Sequence, residues 1–255
     1  MLPILRTAKG AVERMTGLRI YRNGLPHGVS VALDIDKRYG IENVKIIFDV
    51  GANIGQSALA YVQDFPRAEV YSFEPVSGPF AQLRANTQHL ARIHPFQLAM
   101  GSKPGQAVIH VNELSVKSSI LQDRAGDRAE TIQVETVAAF ADRQNIPSVD
   151  FLKIDTEGFD LEVLAGAAPL LEQQRIHLVL SECQILPRTN YFVSIGKLAE
   201  YLQGFDYELL GIYEQQPNWS GENILSYCNA LFVCPKLSEK GGRLNSQPNR
   251  SAALA

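Results

Sequence analysis

The sequence predicts an α/β protein built on a doubly wound, mostly parallel seven-stranded sheet with a C-terminal antiparallel hairpin. Short β-rich apolar runs alternate with longer helix-like segments from residue 45 to about 204, which is typical of parallel strands joined by crossover helices. The runs at 45–50 and 150–154 are almost entirely apolar, as expected for strands covered on both faces. Two further runs, 207–212 and 228–234, are separated by a polar turn and indicate the hairpin.

The other elements follow from the same alternation. The predicted parallel strands are KIIFDV (45–50), EVYSF (69–73), PFQLA (95–99), DFLKI (150–154) and HLVLS (177–181). The predicted helices lie near 55–64, 76–91, 158–173 and 192–203. A further strand pair, 106–111 and 131–137, lies between the third and fourth parallel strands. The polar segment 112–130 is predicted to be a mobile lid, because loops of that length are commonly functional.

Length and composition limit the class of protein. The chain has 255 residues, 45% of them hydrophobic and 20% charged, which fits one large globular domain and excludes a disordered, collagen-like or fibrous protein. No apolar stretch approaches the roughly 18–20 residues that span a bilayer, and the first residues lack a secretory signal. Its three cysteines are too scattered for a disulfide framework or a zinc site, so a reducing, cytoplasmic setting is expected.

The two ends of the chain differ from its body. We predict a basic helical extension at 1–28, the main domain at 29–235 and a disordered tail at 236–255. Residues 1–22 hold five basic side chains and one acidic side chain, which suits weak contact with an anionic membrane surface or a partner, although docking on its own domain is the favoured interpretation. The body is strongly acidic, which argues against a nucleic-acid partner. No feature indicates an oligomeric state.

The segment Asp49-Val50-Gly51-Ala52-Asn53-Ile54-Gly55 closes the first strand and opens the first helix. Gly51 permits a tight turn near a ligand, Gly55 permits close approach of the helix to a strand, and N–H groups at the helix start are expected to face the ligand. A dinucleotide fingerprint has glycines at positions 1, 3 and 6, whereas here they occupy positions 1 and 5. The spacing instead matches the D-x-G-x-[GN]-x-G loop of S-adenosylmethionine-dependent methyltransferases. The alternative is an ordinary βα turn.

The second strand ends with Glu74, 23 residues after Gly51, and Pro75 stops the strand. A carboxylate at this place can accept hydrogen bonds from both hydroxyls of a ribose. Nicotinamide enzymes also carry an acidic residue here, so Glu74 supports a nucleoside-containing cofactor without distinguishing the two classes.

The chain resembles the FkbM-type methyltransferases, a branch of the class I, Rossmann-like family, over about residues 29–235. The resemblance is carried by FDVGANIG (48–55), FEP (73–75), Leu83-Arg84-Ala85-Asn86, LKIDTEGFDLEVLAGA (152–167) and LVLSE (178–182). It implies S-adenosyl-L-methionine as cofactor and a hydroxyl acceptor on a small molecule or glycan.

The resemblance also assigns site residues. It maps Asp49, Gly51, Asn53, Gly55 and Glu74 onto cofactor positions. Many relatives in the wider class place an Asp against the adenine amino group at the end of the third strand. This chain has no carboxylate there, so backbone groups around Ala99 are expected to serve instead.

Three carboxylates are candidates for the chemistry, because ligands of open α/β sheets bind at the carboxyl ends of the strands. Asp155 follows the fourth strand, Glu182 ends the fifth, and Glu157 lies two residues beyond Asp155. A carboxylate within hydrogen-bond reach of a hydroxyl acceptor can remove its proton, and Asp155 is the first candidate for this base. The absence of N-P-P-Y after the fourth strand favours an oxygen acceptor over an amino group.

Other interpretations of these carboxylates stay open. Glu157 is also favoured at a helix start by the helix dipole, and Glu182 has Arg188 as a potential ion-pair partner. Three convergent carboxylates can also hold Mg²⁺, but nothing else in the sequence marks a metal site, and none is expected. For the whole chain, the rivals to a methyltransferase are an NAD(P)-dependent oxidoreductase and a catalytically silent S-adenosylmethionine-binding module.

Overall fold

The computed structural model describes residues 12–18, 21, 24–111, 118–119, 128–185, 192–217 and 224–237. Seven strands form the main sheet: β1 (Ile46–Val50), β2 (Glu69–Phe73), β3 (Ile93–Phe96), β8 (Val149–Ile154), β9 (Ile176–Gln184), β10 (Glu208–Pro217) and β11 (Leu225–Val233). Their order is β10-β11-β9-β8-β1-β2-β3. β3, β2, β1, β8 and β9 are parallel neighbours, while β11 runs antiparallel to β9 and to β10. This confirms the predicted fold class.

Six α-helices lie in the described ranges: α1 (Val31–Tyr39), α2 (Gln56–Asp64), α3 (Ser77–Thr87), α4 (Val137–Arg143), α5 (Asp160–Glu172) and α6 (Ile195–Gln203). Residues 12–16 are also helical, and a short 3-10 helix spans Ile41–Asn43. α2, α3, α5 and α6 confirm the predicted helices. No helix in the described ranges has both the length and the apolar character to cross a membrane.

A second, four-stranded sheet was not predicted as a separate unit. It contains β4 (Ala99–Met100), β5 (Gly105–Val111), β6 (Ser118–Ser119) and β7 (Arg128–Glu135), in the order β4-β7-β5-β6. The predicted strand 95–99 is therefore wrong as a single element. β3 ends at Phe96, where its pairing with β2 stops, and Ala99 and Met100 pair instead with Val134 and Glu135.

The predicted strand 131–137 extends too far, because helix α4 begins within it. Thr136 has an extended backbone, and its side-chain oxygen accepts a hydrogen bond from the N–H of Ala139. This contact caps one of the free N–H groups at the helix start. β-branched residues lie on both sides of Thr136 and are typical of strands, so the sequence pattern does not indicate that a helix starts here.

Both faces of the main sheet are covered by apolar side chains. Phe48, Phe73 and Phe140 are fully buried, and their rings meet edge to face. The wholly buried strand β8 packs in the same core. Its buried position agrees with the almost continuous apolar run of its sequence.

The segment before α1 is attached to the hairpin side of the sheet. The side chain of Asp34 is 1% exposed, and its Oδ2 accepts hydrogen bonds from the N–H of Gly28 (2.7 Å) and from Tyr213 Oη (3.2 Å). His27 Nδ1 lies 3.1 Å from the same oxygen, and its Nε2 contacts Leu210 O. A buried carboxylate thus joins residues 27–28 to strand β10.

Two predicted segments lie largely outside the described residues. Of the predicted lid at 112–130, Ser118–Ser119 form β6 and residues 128–130 begin β7, and the rest is not described. Of the predicted tail at 236–255, only residues 236–237 are described, and they end a short helical turn.

Candidate active site

The site lies where the strand order reverses, between β1 and β8. Val50 and Ile154 are paired at the carboxyl ends of these strands, and the N–H of Asp155 donates to Val50 O at 3.0 Å. The loops after the two strands therefore begin side by side. Such a reversal opens a crevice at the carboxyl edge of a parallel sheet.

Gly51 is required at the first turn of the loop. Its φ is +77°, and a Cβ on this residue would lie 1.9 Å from Asp155 O. A side chain is therefore excluded both by the backbone conformation and by the neighbouring loop. The glycine allows the β1 loop and the β8 loop to touch.

Gly55 lets the β1 loop pack closely against helix α3. The sequence had instead suggested that Gly55 brings a helix close to a strand. Its φ is +98°, and a Cβ there would lie 2.9 Å from Leu83 Cδ1, on helix α3. Asn86 on the same helix donates from Nδ2 to Ile54 O at 2.8 Å. Leu83 and Asn86 belong to the Leu-Arg-Ala-Asn segment, so this segment holds the β1 loop against α3.

Four N–H groups of the β1 loop form hydrogen bonds within the protein. Gly51 and Ala52 both donate to Phe73 O at 3.0 Å, and Gly55 donates to Ala52 O at 2.8 Å. The loop folds back on the end of β2, which uses these donors inside the protein. Asn53, in the left-handed region with φ +49°, donates its N–H to Glu74 Oε2 at 3.0 Å.

Glu74 ends β2 as expected and lies beside this loop. Its other oxygen, Oε1, accepts the N–H of Val76 at 2.9 Å, and the residue is 7% exposed. Burial raises the pKa of Glu74 to about 7, although the N–H groups of Val76 and Asn53 act in the opposite direction. The carboxyl group is held rigidly at the edge of a cavity.

That cavity, the first pocket, contains about 840 Å³ of empty space including its open mouth. Gly51, Asn53 and Glu74 line one side, and Asp155, Thr156 and Glu157 line another. The remaining wall is mostly apolar, with contributions from Pro75, Val76, Pro79, Leu98, Ala99, Met100 and Ile109. Ile109 comes from the second sheet, which thus closes the apolar end of the pocket.

Asp49 does not line the first pocket. It is fully buried under the loop, and its Oδ1 lies 3.3 Å from Lys153 Nζ. Lys153 Nζ also lies 3.4 Å from Asp155 Oδ2 and donates to Gly51 O at 3.2 Å. Burial alone would lower the pKa of Lys153, but the carboxylates of Asp49 and Asp155 overcome this effect and raise it.

Lys153 is the site residue that the sequence interpretation missed. A lysine within a strand otherwise buried on both faces is unusual, because a buried cation needs a carboxylate partner. This signal was available in the run DFLKI, where Lys153 interrupts the apolar residues.

A second pocket lies on the other side of Asp155. It is open and contains about 1040 Å³ of empty space, with Lys153, Asp155 and Glu182 at its base. Asp155 is 38% exposed at its side chain and is the one acidic residue, among those described, that lines both pockets.

Glu182 is brought together with Asp155 as predicted. Burial and then the neighbouring Asp155 carboxylate, to which it hydrogen-bonds, raise the pKa of Glu182 to about 8. Both effects favour the protonated form of Glu182. Its potential partner Arg188 lies outside the described residues.

Glu157 shares the first pocket with Asp155 but shares no pocket with Glu182. Glu157 lines the first pocket, whereas Glu182 lines the second. Glu157 has φ +50°, and the turn that carries it is held by Asp160, whose Oδ2 accepts hydrogen bonds from Thr156 Oγ1 and from the N–H of Gly158. Burial raises the pKa of Asp160 to about 6.

Cys183 and Tyr213 lie near the second pocket or its strands. Cys183 is a small buried side chain, with its Sγ 3.6 Å from Cys228 Sγ across β9 and β11. Tyr213 lines the second pocket. Within the described ranges, no three acidic, histidine or cysteine side chains are grouped as metal ligands.

Comparison with known proteins agrees with these features. Residues 49–209 match the family described as "Methyltransferase FkbM domain". The chain is 27% identical over 221 residues to the 31-O-demethyl-FK506 methyltransferase FkbM of Streptomyces tacrolimicus, covering 73% of this chain and 82% of that protein.

Two further relatives match over shorter spans. The 2-O-methyltransferase NoeI of Sinorhizobium fredii is 24% identical, with 51% of this chain and 60% of NoeI covered. The hexuronic acid methyltransferase AglP of Haloferax volcanii is 25% identical, with 55% of this chain and 56% of AglP covered. The chain thus spans little more than half the length of these two relatives.

Solved structures include similar chains at low sequence identity. The METTL16 methyltransferase domain aligns with a TM-score of 0.48 at 10% identity, over 89% of this chain and 78% of that domain. M. capricolum TrmK in complex with S-adenosyl-homocysteine aligns with a TM-score of 0.46 at 12% identity, over 82% of this chain and 70% of that chain. The family match, which covers more than half of the chain, is the finding that identifies it. The chain belongs to the FkbM methyltransferase domain family and is an S-adenosylmethionine-dependent methyltransferase.

Proposed function

We propose that this chain methylates a hydroxyl group of a sugar, glycan or small metabolite, with the cofactor in the first pocket and Asp155 as the base. The observation that carries the proposal is the position of Asp155 between the two pockets. A base that serves an acceptor hydroxyl must reach the acceptor beside the methyl donor. Asp155 is the carboxylate that meets this requirement.

The first pocket fits a nucleoside-containing cofactor. Glu74 offers carboxylate oxygens to a ribose, and the apolar wall around Ala99 and Ile109 suits an adenine ring. Gly51 and Asn53 form the turn of the β1 loop that lies against the β8 loop, so in this proposal they shape the pocket. Gly55 supports the β1 loop by letting it pack closely against helix α3. S-adenosylmethionine, when bound, supplies an electrophilic methyl group.

Asp49 has an indirect part in the proposal. Its carboxylate holds Lys153, and Lys153 in turn contacts Gly51 O and Asp155. We assign Asp49 and Lys153 to the positioning of Asp155 and of the cofactor loop. Glu157, on the side of the first pocket, is assigned to that pocket rather than to proton transfer.

The proton transfer itself needs one ionised carboxylate next to the acceptor. The pKa of Glu182 is raised, and Glu182 hydrogen-bonds Asp155, so in this proposal Asp155 is the member of the pair that takes the proton from the acceptor. In this proposal, most of the remaining rate enhancement comes from holding the acceptor hydroxyl against the Asp155 carboxylate.

The names of the relatives support an oxygen acceptor. NoeI is named a 2-O-methyltransferase, and the relative from Streptomyces tacrolimicus is named for a 31-O-demethyl substrate. We also propose a cytoplasmic location, as expected from the scattered cysteines.

The decisive experiment compares Asp155→Asn with the unchanged protein. A hydroxylated acceptor is first found by screening sugars and glycosylated metabolites with methyl-labelled cofactor. We then expect Asp155→Asn to lower the single-turnover rate about 10²-fold or more. Affinity for S-adenosylhomocysteine, measured by calorimetry, should change less than about tenfold.

Glu157→Gln is the matched comparison, because Glu157 lines only the first of the two pockets. It should affect cofactor affinity more than turnover. Near-normal turnover by Asp155→Asn would remove Asp155 as the base. Binding of NAD more tightly than S-adenosylhomocysteine would contradict the cofactor assignment, and cofactor binding without turnover on any acceptor would favour a silent binding module.

A further inference from the structure

The second pocket has a charge pattern that bears on the acceptor. Its aspartate, glutamate, lysine, arginine and histidine lining residues are Asp64, Lys153, Asp155, Glu182 and Glu214. Four of these five are acidic. No other lysine, arginine or histidine lines the pocket in the described part of the chain.

The single cation in this wall is already paired. Lys153 Nζ lies 3.3 Å from Asp49 Oδ1 and 3.4 Å from Asp155 Oδ2, and its side chain is only 8% exposed. An anionic group on an acceptor would have to compete with two carboxylates for this ammonium group. Even with Glu182 protonated, the pocket retains more negative than positive charge.

The same wall is rich in groups that bind hydroxyls. Asn229 pairs with Glu182 across β11 and β9, and its Nδ2 donates to Glu214 Oε2 at 2.7 Å. Amide and carboxyl side chains on β9, β11 and β10 therefore form a polar row along the floor of the second pocket. Ser30 and Ser57 add hydroxyl groups on other sides. Such a surface offers both donors and acceptors to a polyol.

We propose that the second pocket selects a polyhydroxylated acceptor without an anionic group, such as a neutral or amino sugar, and rejects hexuronates and sugar phosphates. The inference rests on the proposed function, because it treats the second pocket as the acceptor site. Its physical basis is repulsion between like charges in a partly enclosed pocket, because no unpaired lysine, arginine or histidine among the described lining residues can neutralise a bound anion.

The test uses methyl glucoside and two glycosides that each differ from it at one carbon: methyl glucosaminide, with an amino group at C2, and methyl glucuronide, with a carboxylate at C6. Binding of each is measured by saturation-transfer NMR on the full chain with S-adenosylhomocysteine present. Methyl transfer is measured in parallel with labelled cofactor. We expect the neutral and amino glycosides to bind at least about tenfold more tightly than the glucuronide at low salt, with a smaller ratio at high salt.

Glu214→Gln probes the charge directly, since it keeps the shape of the side chain and removes one negative charge. The neutral-to-glucuronide ratio should fall about three- to tenfold in this variant. Glu200→Gln, an exposed residue of α6 that lines neither pocket, is the control and should leave the ratio unchanged.

The outcomes separate the two proposals. Equal or tighter binding of the glucuronide, or no binding of the neutral and amino glycosides, overturns the acceptor class. Methyl transfer to the glucuronide in preference to the neutral and amino glycosides also overturns the acceptor class, but it leaves the proposed O-methylation reaction standing. Selective binding of the neutral and amino glycosides with no methyl transfer to any of them supports the pocket assignment and contradicts the proposed reaction.

Discussion

At the scale of single residues, the site is organised around a buried ammonium group. Lys153 reaches Asp49, Asp155 and Gly51 O from a strand whose other side chains form the core. One side chain thereby links the loop after β1 to the carboxylate after β8. Removing it leaves Asp49 buried with no cation beside it.

We predict that Lys153→Met lowers the free energy of unfolding by about 3–5 kcal/mol, because it breaks a buried ion pair. The double variant Asp49→Asn with Lys153→Met should recover a large part of this loss, since the uncompensated charge is then absent. Urea unfolding of the two single variants and the double variant measures the coupling. Simple additivity of the two single effects would show that the pair does not interact.

A second residue-scale prediction concerns Glu74. Burial raises its pKa to about 7, whereas hydrogen bonds from ribose hydroxyls stabilise the ionised form. Binding of S-adenosylhomocysteine should therefore release a proton, and the affinity should increase as the pH rises from about 5 to 7. Calorimetry in two buffers of different ionisation enthalpy measures the proton release. The Glu74→Gln variant should bind S-adenosylhomocysteine more weakly, and its affinity should not depend on pH in that range. If the variant kept the pH profile of the unchanged protein, the assignment of Glu74 would be contradicted.

At the scale of elements, close packing of backbone against backbone positions the walls of the first pocket. Helix α5 passes the turn after β4 so closely that a Cβ on Gly166 would lie 2.0 Å from Gly101 O. Met100, the residue before Gly101, lines the first pocket. The spacing between α5 and β4 therefore sets the position of this wall.

We predict that Gly166→Ala lowers the free energy of unfolding by about 1–3 kcal/mol and weakens cofactor binding, because the added methyl group overpacks this contact. Gly196→Ala is the matched control: Gly196 is also helical, and its Cβ would meet nothing within 4 Å. That change should leave stability equal or raise it by up to about 1 kcal/mol. Thermal unfolding and calorimetry test both, and an equal response of the two variants would contradict the close contact.

At the scale of the whole molecule, the carboxyl edge of the sheet concentrates buried acids. The pKa of Glu182 is raised to about 8, that of Glu74 to about 7 and that of Asp160 to about 6, in each case first by burial. The folded chain binds these protons more tightly than the unfolded chain does. The resulting stabilisation is present at acidic pH and is lost as the pH rises through these values.

We therefore predict that the protein without cofactor is most stable near pH 5 and that its Tm falls between pH 5 and pH 8. Below about pH 4 the trend reverses, because the pKa values of Asp34 and Asp150 are lowered in the folded chain and their contribution is lost on protonation. A loss of 1 kcal/mol lowers Tm by about 2–4 °C in a chain of this size. Calorimetric scans from pH 4 to 8 measure the slope.

Glu182→Gln should reduce the fall in Tm between pH 5 and pH 8, since glutamine has no proton to lose. Glu200→Gln, on the exposed side of α6, should leave it unchanged. A rise in Tm over this range in the unchanged protein would contradict the prediction.

The sequence by itself determined the order of the main elements and the position of the glycine-containing loop after β1. The strands at 45–50, 69–73 and 150–154 and the helices between them were predictable, because hydrophobic period and glycine position are local properties. Glu74 was predictable for the same reason, since its place depends only on the end of β2.

Only the tertiary structure decided how distant residues meet. The assignment of Ala99 to the second sheet depends on pairing with β7, more than thirty residues later in the chain, and the start of α4 at Val137 depends on a cap that β-branched neighbours conceal. The placement of Glu157 and Glu182 in different pockets depends on the turn held by Asp160, and the role of Lys153 depends on two loops that meet across β1 and β8. Sequence patterns indicate which residues are buried and which lie in turns, whereas non-local contacts decide which of them face the same pocket.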